Sequence, residues 1–216
     1  MRPLRSQDCN IFPTLISCYD LKGHECEQTI IDMIEVYEKT LEHNVQHGVA
    51  KVRGQTSYIT GDEVFLHNKQ LVNLLKTLQS CCDDYCEKTG IDYIRVSNSW
   101  FNKLENNGSV DAHRHERSVL SGVYYPYVEE GSAPLMFESP LQHYAMNMNF
   151  IKPTEFNTYT ELFKPSNGLL ILFPSWLKHS VPLNQSNKRY TVSFNSVLAW
   201  MYKGFAEYHK HLETVV

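Results

Sequence analysis

Residues 168–181 read Gly-Leu-Leu-Ile-Leu-Phe-Pro-Ser-Trp-Leu-Lys-His-Ser-Val, and residues 188–195 read Lys-Arg-Tyr-Thr-Val-Ser-Phe-Asn. The first run begins with a short apolar block, and the second is rich in β-branched and aromatic residues. Turn-forming residues lie between them, which is typical of two buried β-strands joined by a loop. The run Val-Leu-Ser-Gly-Val-Tyr-Tyr at 119–125 has the same character. Adjacent strand residues face opposite sides, so one of Tyr124 and Tyr125 is expected to face the interior and the other the outer layer.

The first 90 residues have a different periodicity. Apolar side chains recur at three- and four-residue steps in Ile30, Ile34, Tyr37 and Leu41, which indicates one face of a helix. A second helical pattern covers residues 68–88 and ends before a glycine. Helices followed by a run of strands predict an α+β fold. We expect a double-stranded β-helix (jelly-roll or cupin-like) core with the N-terminal helices packed on one sheet.

The chain has 216 residues, enough for one domain with a sizeable core. We therefore expect a single domain over residues 1–216. Within it, residues 1–90 are expected to be mainly helical support, residues 91–198 the double-stranded β-helix core, and residues 199–216 a C-terminal helix. The less regular segment 135–164 is expected to form a loop over the mouth of the barrel.

Composition narrows the classes of function. The formal net charge is −4, and no run of like charges occurs, so the sequence shows no clear nucleic-acid surface. All six cysteines fall in the first 90 residues without Cys-x-x-Cys spacing, and no signal sequence precedes them. These features predict reduced thiols in a cytoplasmic protein. No stretch approaches the roughly 20 apolar residues of a membrane span, so no membrane partner is expected.

Histidines in two separate motifs predict a metal centre. His113 and His115 would project from the same face if residues 109–115 are extended, because side chains at i and i+2 of a strand share a face. His179, near the second apolar run, would supply a third imidazole. Nitrogen ligands suit iron, zinc, copper and nickel, whereas calcium and magnesium prefer oxygen. We therefore expect these three histidines to be metal ligands and catalytic residues.

Arg189 predicts an anionic co-substrate beside the metal. Its planar guanidinium matches a carboxylate, and it lies on a strand next to the expected metal site. Thr191 and Ser193 follow at i+2 and i+4, so their hydroxyls share its face. A metal together with a clamped dicarboxylate indicates 2-oxoglutarate.

Three motifs in the same order resemble those of a known superfamily. Residues 113–128, 168–181 and 188–195 resemble the iron(II)/2-oxoglutarate-dependent dioxygenases. More narrowly, they resemble the 2OG-Fe(II) oxygenase family that is common in bacteriophages and marine bacteria. The closer match is carried by Ser-Gly-Val-Tyr-Tyr at 121–125 and by Phe-Pro-Ser-Trp-x-x-His-Ser-Val at 173–181. The resemblance spans roughly residues 93–198.

The resemblance implies a role for several residues. His113 and His179 would be iron ligands, Arg189 would bind the distal carboxylate of 2-oxoglutarate, and Tyr125 would lie against the co-substrate. The implied activity is that of an iron(II)- and 2-oxoglutarate-dependent dioxygenase, a hydroxylase that consumes O2 and releases succinate and CO2. Members act on protein side chains, nucleobases and metabolites, and fold does not choose among these substrates.

One position departs from the superfamily pattern. The usual motif is His-x-Asp or His-x-Glu, whereas this chain has His115 at the third position. Three interpretations follow: a three-histidine site, a carboxylate supplied by Asp111 or Glu116, or an oxygenase fold that holds iron weakly. A three-histidine site also suits a zinc hydrolase or hydratase. A non-catalytic jelly-roll module is the remaining alternative.

Overall fold

The computed structural model describes residues 12–37, 39, 41, 46–47, 50–58, 63–141, 149, 151–152, 154 and 156–202. Residues 203–216 of the expected C-terminal helix and ten of the thirty residues of the expected loop at 135–164 lie outside this part of the chain. The two ends of that expected loop are strands, Leu135–Glu138 and Thr160–Phe163, so the expectation of an irregular segment is wrong there. Cys9 lies outside it as well.

The described elements comprise twelve strands and two α-helices. The helices are α1 (Glu27–Tyr37) and α2 (Val72–Thr89), and short 3-10 helices at Phe65–His67 and Lys69–Leu71 precede α2. The strands are β1 (Ser17–Asp20), β2 (Gln46–His47), β3 (Ala50–Arg53), β4 (Gln55–Thr56), β5 (Ile94–Leu104), β6 (Ser109–His113), β7 (Leu120–Val128), β8 (Leu135–Glu138), β9 (Thr160–Phe163), β10 (Leu169–Pro174), β11 (His179–Val181) and β12 (Arg189–Leu198).

These strands form two six-stranded antiparallel sheets. The first sheet has the order β1-β10-β7-β12-β5-β4, and the second has the order β2-β3-β6-β11-β8-β9. Seven of the ten neighbouring pairs join strands that are not consecutive in the chain, as in a double-stranded β-helix, where the chain crosses repeatedly between two sheets. The predicted fold class is confirmed.

Two apolar cores lie on opposite faces of the first sheet. Val123 and Tyr125 belong to the core shared with second-sheet residues such as Phe137. Tyr124 belongs to the other core, which contains helix residues such as Ile34. Both tyrosines have no exposed surface. The expectation that the two tyrosines face opposite layers is confirmed, and it follows from the two-residue period of a strand.

Both helices pack on the first sheet. Ile30 and Ile34 have no exposed surface, as their spacing predicts. Helix α2 ends at Gly90, whose φ of 71° and N–H bond to the Cys86 carbonyl form a left-handed cap. No helix in the described residues is both long and apolar enough to cross a membrane.

The N-terminal segment also contributes strands. Residues 1–90 were expected to be mainly helical, but β1 pairs with β10 and β4 pairs with β5. Strands of two to four residues are too short to give a clear alternating pattern, so their pairing partners decide them. The division of the chain into one domain with three parts stays a prediction.

Candidate metal centre and co-substrate cavity

A cavity of about 970 Å³ lies between the two sheets. Strands β5 and β12 of the first sheet and β6 and β11 of the second contribute to its walls. The residues of the expected metal and co-substrate sites that line it are His113, His115, His179, Arg189, Thr191 and Ser193. Six side chains taken from three separate motifs are therefore brought to one cavity.

The three histidines form a compact cluster. Each offers one ring nitrogen, and these three atoms lie within 4.8 Å of one another. His113 and His179 are directly opposite each other in the β6–β11 pairing, with ring centroids 4.4 Å apart. The Nε2 atoms of His115 and His179 are 3.2 Å apart. A single ion could contact all three rings, because metal–imidazole bonds are about 2.0–2.1 Å long.

Backbone carbonyls fix the tautomers of two of these rings. His113 Nδ1 is 2.8 Å from the Asp111 carbonyl oxygen, and His179 Nδ1 is 2.9 Å from that of Leu177. A carbonyl oxygen can only accept, so each Nδ1 carries the hydrogen and donates it. Each Nε2 is then left with a lone pair directed at the cluster. This arrangement is the usual outer support of a metal-bound imidazole.

Burial keeps His179 in its neutral form. Its side chain is 4% exposed. Desolvation, followed by the charge of His113, lowers the pKa of His179 to about 3. The imidazole is therefore uncharged at neutral pH, which is the form that binds a metal.

A β-bulge in β6 decides which side chains reach the cluster. His179 pairs with His113 and Val181 with Val110, so three steps along β6 match two along β11. The extra residue lets both Val110 and His113 line the cavity, because a bulge re-aims the side chains beside it. In an unbroken strand the i and i+2 spacing would place Asp111 on the face of His113, but Asp111 does not line the cavity. The Asp111 carboxylate instead pairs with Arg53 Nη1 at 2.6 Å.

His115 reaches the cluster from outside the strand. The expected extended run 109–115 is wrong at its end, because β6 stops at His113. The His115 N–H donates to the Ser175 carbonyl oxygen at 3.0 Å, and its ring is 5.6 Å from that of Trp100. Glu116 is exposed at the cavity rim. Among the described residues, neither Glu116 nor Asp111 joins the group of clustered ligand atoms.

Arg189 lies buried in the cavity wall. It is 2% exposed, its Nε donates to the Ala133 carbonyl at 3.0 Å, and its Nη2 donates to the Tyr125 hydroxyl at 3.4 Å. No aspartate or glutamate of the described residues forms an ion pair with it. A buried cation without a counter-ion is costly. Its environment therefore favours an anion in the cavity.

The hydroxyls beside Arg189 are oriented by an asparagine that the sequence did not single out. Asn102 Nδ2 donates to Thr191 Oγ1 at 3.4 Å and to Ser193 Oγ at 3.3 Å. Both hydroxyl hydrogens thus stay available to donate. Asn102 is directly opposite Thr191 in the β5–β12 pairing, and Trp100 is opposite Ser193. Only the strand register, which the sequence does not reveal, places these two residues in the site.

Tyr125 supports Arg189 from behind. Its hydroxyl accepts from the guanidinium, and the ring centroid lies 5.2 Å from Arg189 Cζ. Burial raises the pKa of Tyr125, so it remains a neutral phenol. The resemblance implies that Tyr125 lies against the co-substrate. In this geometry it acts on Arg189, which in turn faces the cavity.

Tyr125→Phe is expected to weaken binding of 2-oxoglutarate about fivefold. The lost hydroxyl is worth about 1 kcal/mol, and the guanidinium loses an orienting contact. The matched control is Tyr124→Phe, whose hydroxyl faces the helical layer and Glu27. Calorimetric titration of both variants checks this. Equal affinities in the two variants would show that Tyr125 does not orient Arg189.

Comparisons with known proteins agree with this geometry. Residues 98–195 match the family model described as "Putative 2OG-Fe(II) oxygenase". No curated protein matches the sequence.

Solved structures share the fold at low sequence identity. A Pseudomonas putida prolyl-4-hydroxylase has a TM-score of 0.57 and 10% identity, with 85% of this chain and 93% of that chain covered. The epimerase SnoN in complex with Fe3+, alpha ketoglutarate and nogalamycin RO has a TM-score of 0.59 and 13% identity, covering 86% and 80%. HygX from Streptomyces hygroscopicus, with nickel, 2-oxoglutarate and hygromycin B bound, has a TM-score of 0.54 and 10% identity, covering 86% and 84%.

The matched segment contains all three histidines, the arginine and the strands β5 to β12, apart from the first four residues of β5 and the last three of β12. The resemblance predicted from the sequence is confirmed over residues 98–195, which match the model of the 2OG-Fe(II) oxygenase family.

Proposed function

We propose that this chain is an iron(II)- and 2-oxoglutarate-dependent dioxygenase that hydroxylates its substrate and releases succinate and CO2. One observation carries the proposal. Three clustered histidines and a buried arginine, which has no carboxylate partner among the described residues, line the same cavity. This pairing matches what a metal and a dicarboxylate co-substrate need.

The donor set fits iron. Three neutral imidazole nitrogens lie close enough to share one ion, and two of the rings are held by carbonyl acceptors. Imidazole is a suitable ligand for iron, zinc, copper and nickel. We propose His113, His115 and His179 as the ligands. Three protein ligands leave further coordination positions for the co-substrate and O2.

The wall of β12 fits the far carboxylate of 2-oxoglutarate. Arg189 supplies the positive charge, while Thr191 and Ser193 supply hydroxyl donors that Asn102 orients. A carboxylate in this position would pair with the buried guanidinium. Charge-assisted bonds of this kind are about twice as strong as neutral ones.

The protein contributes position and exclusion of water. When bound, iron and 2-oxoglutarate together supply the oxidising chemistry that activates O2 towards a C–H bond. Arg189 orients the co-substrate, and the three imidazoles hold their lone pairs towards one point. Leu135, Phe173 and Val181 add an apolar wall to the cavity. Such a wall strengthens the electrostatic contacts inside it.

The prime substrate is proposed to be a protein side chain, a nucleobase or a metabolite. Two of the solved neighbours illustrate this range, since one is a prolyl-4-hydroxylase and another has hygromycin B bound. A family fold places the reactive centre, whereas the substrate is selected by residues at the cavity mouth.

A zinc hydrolase or hydratase is the second candidate, because three imidazoles hold zinc equally well. Arg189 weighs against it, since activation of a zinc-bound water needs no buried guanidinium beside it. A non-catalytic jelly-roll module would have no reason to retain the clustered histidines.

Succinate formation separates these candidates. The metal-free protein is loaded with Fe(II) or Zn(II) and incubated in air with 2-oxoglutarate, and succinate is quantified. We expect succinate only from the Fe(II) form, and none from that form without O2. Absence of succinate from the Fe(II) form, with ester hydrolysis or CO2 hydration by the Zn(II) form, would favour the zinc hydrolase or hydratase.

A further inference from the structure

The third histidine is held by a different part of the molecule from the other two. His113 and His179 lie on β6 and β11 of the second sheet and pair directly. His115 lies beyond the end of β6, and its N–H donates to the carbonyl of Ser175, which follows β10 of the first sheet. The position of His115 therefore depends on the first sheet.

Ser175 is the start of a buried chain of hydrogen bonds. Ser121 Oγ is 2.8 Å from Asn195 Oδ1 and 2.8 Å from Ser175 Oγ. The Asn195 oxygen can only accept, so Ser121 donates to it and Ser175 donates to Ser121. Exposures of 0% for Ser175, 1% for Ser121 and 5% for Asn195 show that the chain is shielded from water. Buried networks of this kind are rigid when every member is satisfied.

Further contacts fix the backbone of Ser175. Its N–H donates to the Val119 carbonyl at 3.1 Å, while its carbonyl accepts from His115. On the other side, the His115 ring lies against Trp100, which is 6% exposed. His115 is thus confined between the Ser175 carbonyl and the Trp100 ring. The Ser121 hydroxyl links this arrangement to β7 and β12.

We propose that Ser121 is a positioning residue for the third metal ligand: through Ser175 it holds His115 where its imidazole completes the three-histidine site. This inference rests on the proposed role of His115 as a ligand. Loss of the Ser121 hydroxyl leaves Ser175 Oγ without its acceptor and removes one of the contacts that hold the Ser175 carbonyl in place. Metal binding would then have to order His115 as well. Outer residues that orient a ligand typically change metal affinity 10- to 100-fold.

An equilibrium measurement of metal affinity, which needs no catalytic turnover, tests the proposal. The full chain is freed of metal and titrated with Co(II) against a competing chelator, and the visible Co(II) spectrum is recorded. Ser121→Ala is expected to weaken Co(II) binding about tenfold or more. The matched control is Ser196→Ala, also fully buried, whose hydroxyl bonds only with the Leu120 backbone among the described residues. We expect Ser196→Ala to leave the Co(II) affinity and spectrum unchanged.

A double-mutant cycle shows whether the effect passes through His115. His115→Ala should weaken Co(II) binding, and adding Ser121→Ala to it should cause no further loss. An equal loss in both backgrounds would overturn the inference, as would a Ser121→Ala variant that binds like Ser196→Ala. If His115→Ala itself leaves Co(II) affinity unchanged, the proposed ligand role of His115 fails first.

A second variant guards against misfolding. Ser175→Ala removes the other hydroxyl of the chain but keeps the carbonyl that accepts from His115. Thermal unfolding without metal shows whether Ser121→Ala folds. If it does not, Ser175→Ala must weaken Co(II) binding in the wild-type background. It must cause no further weakening when it is combined with His115→Ala. Wild-type affinity of a folded Ser175→Ala variant would overturn the proposal.

Discussion

His179→Ala is expected to lower the affinity for ferrous iron by more than about 100-fold, a larger loss than changes to outer residues cause. His179 is the most buried of the three histidines, and its ring centroid lies 4.7 Å from that of the core residue Phe173. Removing it leaves only two imidazoles. Anaerobic equilibrium dialysis with Fe(II) measures the effect.

His24→Ala is the matched control for this substitution. The His24 Nε2 atom contacts Thr77 Oγ1 in the helical region, and His24 does not line the cavity. Its loss should leave the iron affinity unchanged. Iron binding by a folded His179→Ala variant at the wild-type affinity would mean that the metal lies elsewhere.

Arg189→Ala is expected to raise the dissociation constant for 2-oxoglutarate about 100-fold while iron binding persists. Two charge-assisted bonds are lost, each worth about 1.5 kcal/mol at the lower end of the usual range, and each 1.4 kcal/mol is a factor of ten. The dissociation constant of Arg189→Lys should lie between those of the wild-type protein and Arg189→Ala, because lysine keeps the charge but lacks the planar guanidinium. Calorimetric titration of the metal-loaded protein gives the three constants.

Arg95→Ala serves as the control for loss of an arginine. Arg95 lies on β5, and its exposed side chain is 3.7 Å from Asp83. It does not line the cavity, so 2-oxoglutarate should bind this variant normally. Normal co-substrate affinity in Arg189→Ala would contradict the role of the buried guanidinium.

Periodicity in the sequence was sufficient to predict the fold class and the side of the cavity that β12 forms. The strands β7, β10 and β12 are long and apolar, so their alternation predicts which side chains share a face. Arg189, Thr191 and Ser193 accordingly line the same cavity. The helical stripe through Ile30 and Ile34 likewise predicts the buried face of α1.

The irregular end of β6 explains why the sequence could not predict how the side chains of the histidine motif are arranged. The bulge in β6 turns His113 inwards, and the ion pair with Arg53, 58 residues away, holds Asp111 elsewhere. His115 was expected in the cluster through the i and i+2 rule, but it arrives there after the strand has ended. Its support comes from Ser175, 60 positions further along the chain, so no local pattern could identify it.

Anaerobic titration of the metal-free protein with ferrous iron and then 2-oxoglutarate tests whether the three-histidine cavity binds both together. We expect a weak visible charge-transfer band from 2-oxoglutarate chelated to iron in the wild-type protein and in His24→Ala, and no such band in His179→Ala. If no band forms in the wild-type protein and zinc binds tightly, the proposed iron(II)- and 2-oxoglutarate-dependent function is contradicted.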